Sequence, residues 1–216
     1  MKTLNAAVIG CGVVGLRRVK NFGKNFNLVA CADKNINKIK KIFVSKNIYK
    51  TDNWRDLLKQ NNIDAVFIAT YHSTQAEIMK EFIKKNIHIF CEKPGGVSFK
   101  KTNQLLKLSK AKKNISIKIG YNHRYHPAFI LAKKIISRAS IGKILYIRAV
   151  YGHGGRKNYH KEWRFNKKLS GGGELIDKGS HLIDLSRIFL GNLNFYSSFL
   201  KNYFWKKEQD DNCFLV

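Results

Sequence analysis

Residues 4–15 read LNAAVIGCGVVG, a short apolar run followed by the pattern G-x-G-x-x-G and then by a helix-like segment. In such a strand–turn–helix unit the first glycine makes a tight turn, the second lets backbone approach a pyrophosphate, and the third lets the helix pack on the strand. The free N–H groups at the helix start then face the phosphates. The stretch predicts a dinucleotide-binding loop, with a glycine turn for another ligand as the alternative. The candidate cofactor contacts are Gly10, Gly12, Val13, Val14 and Gly15.

A second apolar run ends at Asp33, 18 residues after Gly15. A carboxylate at the end of the second strand can accept hydrogen bonds from both ribose hydroxyls and repels a 2′-phosphate. The position therefore favours NAD as the cofactor. The neighbouring Lys34 is a further candidate contact and leaves NADP possible.

Residues 1–121 alternate strand-like apolar runs with amphipathic segments. The strand-like runs are Leu4–Gly10, Leu28–Ala32, Ala65–Thr70, Ile87–Phe90 and Ile115–Gly120, and the helix-like stretches lie near residues 13–22, 34–45, 53–60, 74–85 and 99–113. Near-continuous apolar strands separated by helices are typical of a parallel sheet covered on both faces. We therefore predict an α/β fold with a doubly wound parallel sheet, the Rossmann architecture.

Residues 122–216 have a different rhythm, which predicts an α+β domain. Helices are expected over residues 126–138 and 173–190, and half-exposed strands over Lys143–Tyr151 and Asn194–Trp205. The last residues, 212–216, form an apolar run without a polar tail, whereas chain termini are usually polar. This domain is therefore expected to be cut short, with its last strand at an unfinished sheet edge.

Composition excludes several classes of protein. Hydrophobic residues make up 44% of the 216 residues and charged residues 25%, which is ordinary for a globular protein. No apolar run reaches the length of a membrane span, and the N-terminus lacks a signal-peptide pattern. The four cysteines contain no CxxC pair, so we expect reduced, mostly buried thiols and no metal site. A cytoplasmic protein that does not bind membranes is expected.

The chain is strongly basic, with 41 Lys and Arg against 14 Asp and Glu and a net charge of +27. Such a charge raises the possibility of nucleic-acid binding. The lysines are spread over the whole chain, and neither an RNP-like motif nor a zinc finger occurs. A solvated lysine surface is the favoured interpretation, and no nucleic-acid partner is expected.

Two further motifs carry potential acid–base chemistry. Glu92-Lys93-Pro94 follows the predicted strand Ile87–Phe90, so it lies at the carboxyl edge of the sheet, where ligands bind in open α/β folds. In the second domain, Asp177, His181 and Asp184 have i, i+4 and i+7 spacing and share one helix face. A carboxylate beside an imidazole orients it for general-base chemistry. The alternatives are a zinc pair, which lacks a third ligand, and a buried histidine capped by aspartate.

These motifs occur in an order that resembles the Gfo/Idh/MocA family, the family of glucose–fructose oxidoreductase and inositol dehydrogenase. The residues that carry the resemblance are the glycine-rich start, Glu92-Lys93-Pro94, Gly120–Tyr125, Trp163-Arg164 and the helix with Asp177, His181 and Asp184. The resemblance implies a Rossmann domain followed by an α/β domain with a large, mostly antiparallel sheet. It also implies hydride transfer between a nicotinamide and a sugar or cyclitol carbon, and a homo-oligomer for the full-length form.

The resemblance also implies residue roles. Lys93 matches the family's catalytic lysine, His181 its general acid or base, and Asp177 the carboxylate before it. The positions that match cofactor or substrate contacts are Thr70, His72, Glu92 and Lys93 for the dinucleotide and Asn122, Arg124, Trp163, Arg164, Asp177 and His181 for the substrate. Many relatives have Pro-Asn where this chain has Tyr71-His72, and relatives typically continue further.

The sequence thus predicts an NAD(P)-dependent dehydrogenase that acts on a sugar, cyclitol or sugar-nucleotide alcohol or ketone. The basic loop His153–Arg164 is a candidate for holding a phosphorylated or nucleotide-linked sugar. Two other classes stay open, a nicotinamide-binding regulator without catalysis and a basic nucleic-acid-binding protein on a Rossmann scaffold.

Overall fold

The computed structural model describes residues 2–42, 47–205 and 207–216. The chain divides into two compact units, Met1–Gly120 and Tyr121–Val216. 

The first unit contains a six-stranded parallel sheet. Its strands are β1 (Leu4–Ile9), β2 (Phe26–Ala32), β3 (Tyr49–Thr51), β4 (Ala65–Ile68), β5 (His88–Cys91) and β6 (Ile117–Ile119). Their spatial order is β3-β2-β1-β4-β5-β6, and every neighbouring pair is parallel. This is the order of the doubly wound dinucleotide-binding fold, so the predicted Rossmann architecture is confirmed. The sequence patterns missed β3, which has only three residues at the sheet edge.

Four α-helices connect these strands: α1 (Val13–Lys20), α2 (Ile36–Ile42), α3 (His72–Lys84) and α4 (Phe99–Lys110). The side chain of Ser98 accepts a hydrogen bond from the Lys101 N–H and so starts α4. The stretch predicted as a helix near 53–60 is a 3₁₀-helix, Trp54–Lys59, begun by Asn53. Residues 43–45 of the predicted second helix lie outside the described residues.

The sheet is buried on both faces because its strand residues are apolar in both alternate positions. Ala7 and Ile9 pack into one cluster with residues of α3, whereas Ala6 and Val8 pack into a second cluster with Phe22. Side chains along a strand alternate between faces, so a strand without polar positions must be covered twice. Because β1, β4 and β5 are parallel neighbours, the loops that follow them lie along one edge of the sheet.

The second unit contains more helix than strand, joined by long irregular segments. Its elements are α5 (Pro127–Ser137), α6 (Lys167–Ser170), α7 (Ser180–Leu190), a π-helical turn at Leu175–Gly179, and 3₁₀ turns at Asn122–Tyr125, Tyr159–Lys161 and Trp163–Phe165. Two short strands, β7 (Ser198–Lys201) and β8 (Asn212–Leu215), pair in an antiparallel ladder. The predicted helix 173–190 is thus a π turn followed by α7, and the predicted strand Asn194–Trp205 is reduced to β7. Within the described residues, β8 pairs only with β7.

The prediction of a strand over Lys143–Tyr151 was wrong. These residues are described but form no strand, and three of their apolar side chains are largely exposed: 84% for Leu145, 79% for Tyr146 and 87% for Val150, whereas Ile144 and Ile147 are partly buried. A strand exists only where a neighbour completes its backbone hydrogen bonds, and no described strand pairs with this stretch. Alternation of apolar and polar residues therefore shows that a segment can form a strand. Whether the strand forms depends on a neighbouring strand that supplies backbone hydrogen bonds.

None of the described helices is long and apolar enough to cross a membrane. All four cysteines are free thiols, of which Cys11, Cys31 and Cys91 are buried and Cys213 is exposed. The expectation of mostly buried cysteines is confirmed for these described residues.

We expect the core of the first unit to be sensitive at Phe82, which is fully buried on α3. Phe82→Ala should lower the free energy of unfolding by about 3–5 kcal/mol, because the lost burial leaves a cavity. Phe99→Ala on α4 is the matched control, since Phe99 is 85% exposed and its loss should change stability by about 0.5 kcal/mol or less. Urea unfolding measures both values, and equal midpoints for the two variants would contradict this description of the core.

Candidate functional site

Two glycines of the loop after β1 are required by the protein's own packing. Gly10 has φ +88°, and a Cβ there would lie 2.5 Å from the carbonyl oxygen of Ala69. A Cβ on Gly15 would lie 2.0 Å from the carbonyl oxygen of Gly10, so only glycine lets α1 approach the loop this closely. The start of α1 is therefore fixed directly beyond the carboxyl end of β1.

Gly12 is different, because the described residues leave it space. A Cβ there would meet nothing within 4 Å except Lys38 Nζ at 3.9 Å, and its φ of −73° suits any residue. Gly12 is the N-cap of α1 and has no side chain that could cap the first N–H groups. The neighbouring Val13 is 74% exposed at this helix start. These features fit a group that comes from outside the chain and lies against the loop backbone, as a dinucleotide pyrophosphate does.

Asp33 is held beside this loop by its own hydrogen bonds. Its Oδ2 accepts from the Cys11 N–H at 2.8 Å, and its Oδ1 accepts from the Asn35 N–H at 3.0 Å. The carboxylate follows β2 and stays partly exposed, so further lone pairs are available to ribose hydroxyls. Lys34 beside it is exposed.

The Glu92-Lys93-Pro94 turn follows β5, as predicted. The carboxylate of Glu92 accepts a hydrogen bond from Arg18 Nε at 2.7 Å, and the Arg18 guanidinium lies 4.7 Å from the ring centroid of Phe90. Glu92 therefore ties the turn to α1, a structural contact that the sequence did not predict. Lys93 is partly buried, and its peptide bond to Pro94 is cis.

Gln75 on α3 also holds this turn, and sequence reasoning missed it. The side chain is fully buried. Its Oε1 accepts from the Gly95 N–H at 2.9 Å, and its Nε2 donates to the carbonyl oxygens of Lys93 and Thr70, each at 3.4 Å. Its position on the buried face of an amphipathic helix could have pointed to this role, because buried polar side chains must find hydrogen-bond partners.

Thr70 and His72 lie at the start of α3. The Thr70 Oγ1 accepts a hydrogen bond from Thr74 Oγ1 at 2.9 Å, and His72 is buried as the first residue of the helix. These two residues belong to the same edge of the sheet as the glycine loop, because β4 and β1 are parallel neighbours.

In the second unit, the three predicted polar residues of the helix are all buried. Asp177 and His181 are 6% exposed and Asp184 is 8% exposed. Asp177 lies in the π turn, a rare element that occurs frequently at functional sites. The seven-residue repeat of Leu175, Leu182 and Phe189 predicts that this apolar face points to the core. That prediction is wrong, because Leu182 and Phe189 are only partly buried and the polar face is more buried than they are.

Each buried carboxylate has a cationic partner. Arg164 Nε donates to Asp177 Oδ2 at 3.1 Å, and Lys178 Nζ also contacts Asp177. Arg124 Nε donates to Asp184 Oδ2 at 2.7 Å, and its Nη2 contacts the other carboxylate oxygen. Buried charges are tolerated when they are paired in this way.

Aromatic rings surround His181. The imidazole of His123 stacks on it with centroids 4.2 Å apart and planes 23° apart. Tyr121 meets the ring edge-on at 5.7 Å, and Tyr151 lies at 6.3 Å. Burial raises the pKa of Tyr121, whose phenol therefore stays neutral.

The predicted substrate contacts are distributed over this unit. Asn122 is exposed at the start of a 3₁₀ turn, and the Arg164 guanidinium lies 5.0 Å from the Trp163 ring centroid. In the basic loop, Arg156 and Arg164 both donate to Glu162, with bonds of 2.7–2.8 Å. The single negative charge of Glu162 is shared by the two arginines, and Arg164 also pairs with Asp177. Part of the loop's positive charge is therefore already compensated, and the loop gives a phosphate less support than its arginine count suggests.

Asp210 is a second residue that the sequence did not single out. Its Oδ1 and Oδ2 accept from the N–H groups of Gly173 and Leu175 at 3.1 and 2.8 Å, and its carbonyl accepts from Glu174 N–H at 3.0 Å. Asp210 therefore caps the segment that carries Asp177 and His181, from a position 35 residues away from Leu175.

Tyr159 packs beneath the same segment. It is buried, and its hydroxyl donates to Glu174 Oε1 at 2.8 Å. Burial and this hydrogen bond raise the pKa of Tyr159. Among the residues that the structure describes, no group of three or more His, Cys, Asp or Glu side chains could hold a metal ion.

Residues 4–121 match the oxidoreductase family with an NAD-binding Rossmann fold, GFO/IDH/MocA, and residues 129–216 match the GFO/IDH/MocA C-terminal domain. The chain therefore belongs to the Gfo/Idh/MocA family, and its first unit is an NAD-binding Rossmann domain.

Individual relatives agree with this assignment. Levoglucosan dehydrogenase from Pseudarthrobacter phenanthrenivorans is 33% identical over 155 residues, which cover 71% of this chain and 40% of that protein. The crystal structure of myo-inositol 2-dehydrogenase from Lactobacillus plantarum has a TM-score of 0.78 at 31% identity and covers 88% of this chain and 57% of its own. A levoglucosan dehydrogenase solved with NADH and levoglucosan has a TM-score of 0.84 at 26% identity, with coverages of 98% and 62%. The chain thus spans 40–62% of the lengths of these proteins.

Alanine substitutions should separate the roles of Gly12 and Gly15. Gly12→Ala should fold with unchanged stability but bind NAD at least about tenfold more weakly, a loss of about 1.4 kcal/mol, because the added methyl occupies the space beside the loop backbone. Gly15→Ala should lower the thermal midpoint, because its methyl collides with Gly10. Calorimetry of NAD binding and thermal unfolding test both statements. Equal NAD affinity in wild type and Gly12→Ala would show that the loop does not bind the dinucleotide.

Asp210→Ala should destabilise the second unit by about 1–2 kcal/mol, because two N–H groups of the capped segment lose their acceptors. Asp210→Asn keeps one acceptor and should cost less. Glu208→Ala is the control, since Glu208 is exposed in the same loop. Urea unfolding followed by tryptophan fluorescence gives the three values, and a loss for Glu208→Ala as large as for Asp210→Ala would contradict the capping role.

Proposed function

We propose that the chain is an NAD-dependent oxidoreductase that transfers a hydride between the nicotinamide and a sugar, cyclitol or sugar-nucleotide alcohol or ketone. The observation that carries the proposal is the buried imidazole of His181 between Asp177 and Asp184, in a chain whose other unit is an NAD-binding domain. The family membership and the relatives named as levoglucosan and inositol dehydrogenases support the class of substrate.

The residues of the glycine loop fit the cofactor. The open space at Gly12 and the uncapped start of α1 suit the pyrophosphate, and Asp33 suits the adenosine ribose. When bound, NAD supplies a nicotinamide C4 that accepts or returns the hydride. Contacts from Val13, Val14, Lys34, Thr70, His72 and Glu92 stay predictions.

In the oxidative direction, His181 takes the proton of the substrate hydroxyl through an imidazole nitrogen. Lys93 is assigned the family's catalytic lysine role, in which an ammonium group donates a hydrogen bond to a substrate oxygen and stabilises the negative charge that develops there. Asp177, held by Arg164 and Lys178, orients the imidazole or the substrate. In the reductive direction His181 returns the proton to the carbonyl oxygen.

The remaining assignments stay predictions. Asn122, Arg124, Trp163 and Arg164 are proposed to line the substrate, although Arg124 and Arg164 also bind Asp184 and Asp177. A homo-oligomer, a cytoplasmic location and the absence of a nucleic-acid partner are likewise proposals.

Cofactor selectivity tests the role of Asp33. NAD should bind more tightly than NADP by about 1–3 kcal/mol, the scale of leaving a charged group without a partner. Asp33→Ser should reduce this difference, whereas Asp52→Ser, at an exposed position, should leave it unchanged. Titration of both dinucleotides measures the difference, and a preference of the wild type for NADP would overturn the assignment.

Kinetics test the two proposed catalytic residues in the whole protein. Lys93→Ala should lower kcat by about 10²–10³, the scale of losing one preorganised donor to a developing oxyanion. His181→Ala should lower it by about 10²–10⁴, the range of general acid–base catalysis, with little change in NAD affinity. Lys100→Ala is the control on an exposed lysine. Full activity in either variant would remove that residue from the mechanism.

A further inference from the structure

His123 is the closest aromatic partner that the structure gives to His181. The two imidazoles stack face to face, 4.2 Å apart at 23°. Two positive charges at this distance repel each other by several times the thermal energy when the surroundings are less polar than water. The stacked pair therefore binds a first proton more readily than a second, and its two protonation steps are coupled.

The more exposed ring takes the first proton. His181 is 6% exposed, whereas His123 is only partly buried. Burial disfavours the charged form of an imidazole, so acidification charges His123 first. His181 then needs a lower pH to gain its own proton.

The other groups that face His181 in the second unit do not reverse this order. Tyr121 and Tyr151 present phenol rings. The carboxylates on the same helical segment are Glu174, Asp177 and Asp184, which would attract a proton to His181 if they were unpaired. Glu174 accepts a hydrogen bond from the Tyr159 hydroxyl and lies 3.9 Å from Lys178 Nζ. Arg164 and Lys178 offset the charge of Asp177, and Arg124 offsets that of Asp184. Unlike the two phenols, the neighbouring His123 imidazole can gain a positive charge between pH 5 and 8.

We propose that His123 is a positioning residue that keeps the His181 imidazole neutral and able to accept a proton at lower pH, through face-to-face stacking and charge repulsion. The inference rests on the proposed function only for the purpose that this neutral imidazole serves. The protonation state of the His181 imidazole can be measured whether or not the protein is a dehydrogenase.

The experiment is a pH titration by NMR of the protein with ¹⁵N-labelled histidine, in which the His181 signals are assigned by their loss in His181→Gln. His123→Phe keeps an aromatic ring on His181 but removes the second charge. The titration midpoint of His181 should move to higher pH by about one pH unit, a tenfold rise in proton affinity. His123→Gln is a second variant without a charge and should shift the midpoint in the same direction. His160→Phe is the control, because His160 stacks on Trp205 instead.

An unchanged or lower His181 midpoint in folded His123→Phe and His123→Gln would overturn the proposal, as would an equal upward shift in His160→Phe. An activity assay separates the effect of His123 on His181 from the proposed dehydrogenase function. If the protein is an active dehydrogenase, the acid limb of its kcat/KM profile should move to higher pH in His123→Phe, with KM for NAD unchanged. If no activity is found, the proposed function fails while the NMR titration still decides the interaction between the two rings.

Discussion

The first unit depends on one close contact, in which the backbone of Gly15 lies against the carbonyl oxygen of Gly10. This contact leaves no room for a side chain, and it brings the start of α1 to the carboxyl end of β1. The uncapped N–H groups at Gly12, the carboxylate of Asp33 and the Glu92 turn are then all held at one edge of the sheet. Asp33 fastens this edge to the glycine loop through the Cys11 N–H, and Glu92 fastens it to α1 through Arg18.

The second unit is governed by a different constraint, the burial of charge. Asp177 and Asp184 lie almost out of solvent, and a buried carboxylate is costly unless a cation and hydrogen bonds compensate for it. Arg164 and Arg124 provide that compensation, and the loop with Asp210 supplies the acceptors that begin the helical segment. The ion pairs and hydrogen bonds that compensate the buried carboxylates also hold the helical segment that carries His181.

The features that could be predicted from sequence are those that depend on local residue types, such as a glycine where the backbone leaves no room for a side chain. Only glycine fits at Gly10 and Gly15, and an apolar strand with no polar face must be covered on both sides, so the Rossmann sheet followed from local pattern. The misses depend on partners remote in the chain. Residues 143–151 alternate like a strand, but none of the strands in the described parts of the chain pairs with them, and Gln75 and Asp210 reveal their roles only through the backbone groups that they bind. The stacking of His123 on His181 likewise comes from the packing of two separate segments.

The proposed reaction is the transfer of a hydride between a nicotinamide and a sugar-like carbon. Its most direct test uses NADH carrying deuterium at both C4 positions, mixed with a panel of sugar ketones, cyclitol ketones and keto-sugar nucleotides, with mass spectrometry of the products. The account predicts that one reduced product gains a single deuterium on the former carbonyl carbon, and that His181→Gln strongly slows its formation. Saturable NADH binding with no deuterium in any product would contradict the claim and leave a nicotinamide-binding protein without this chemistry.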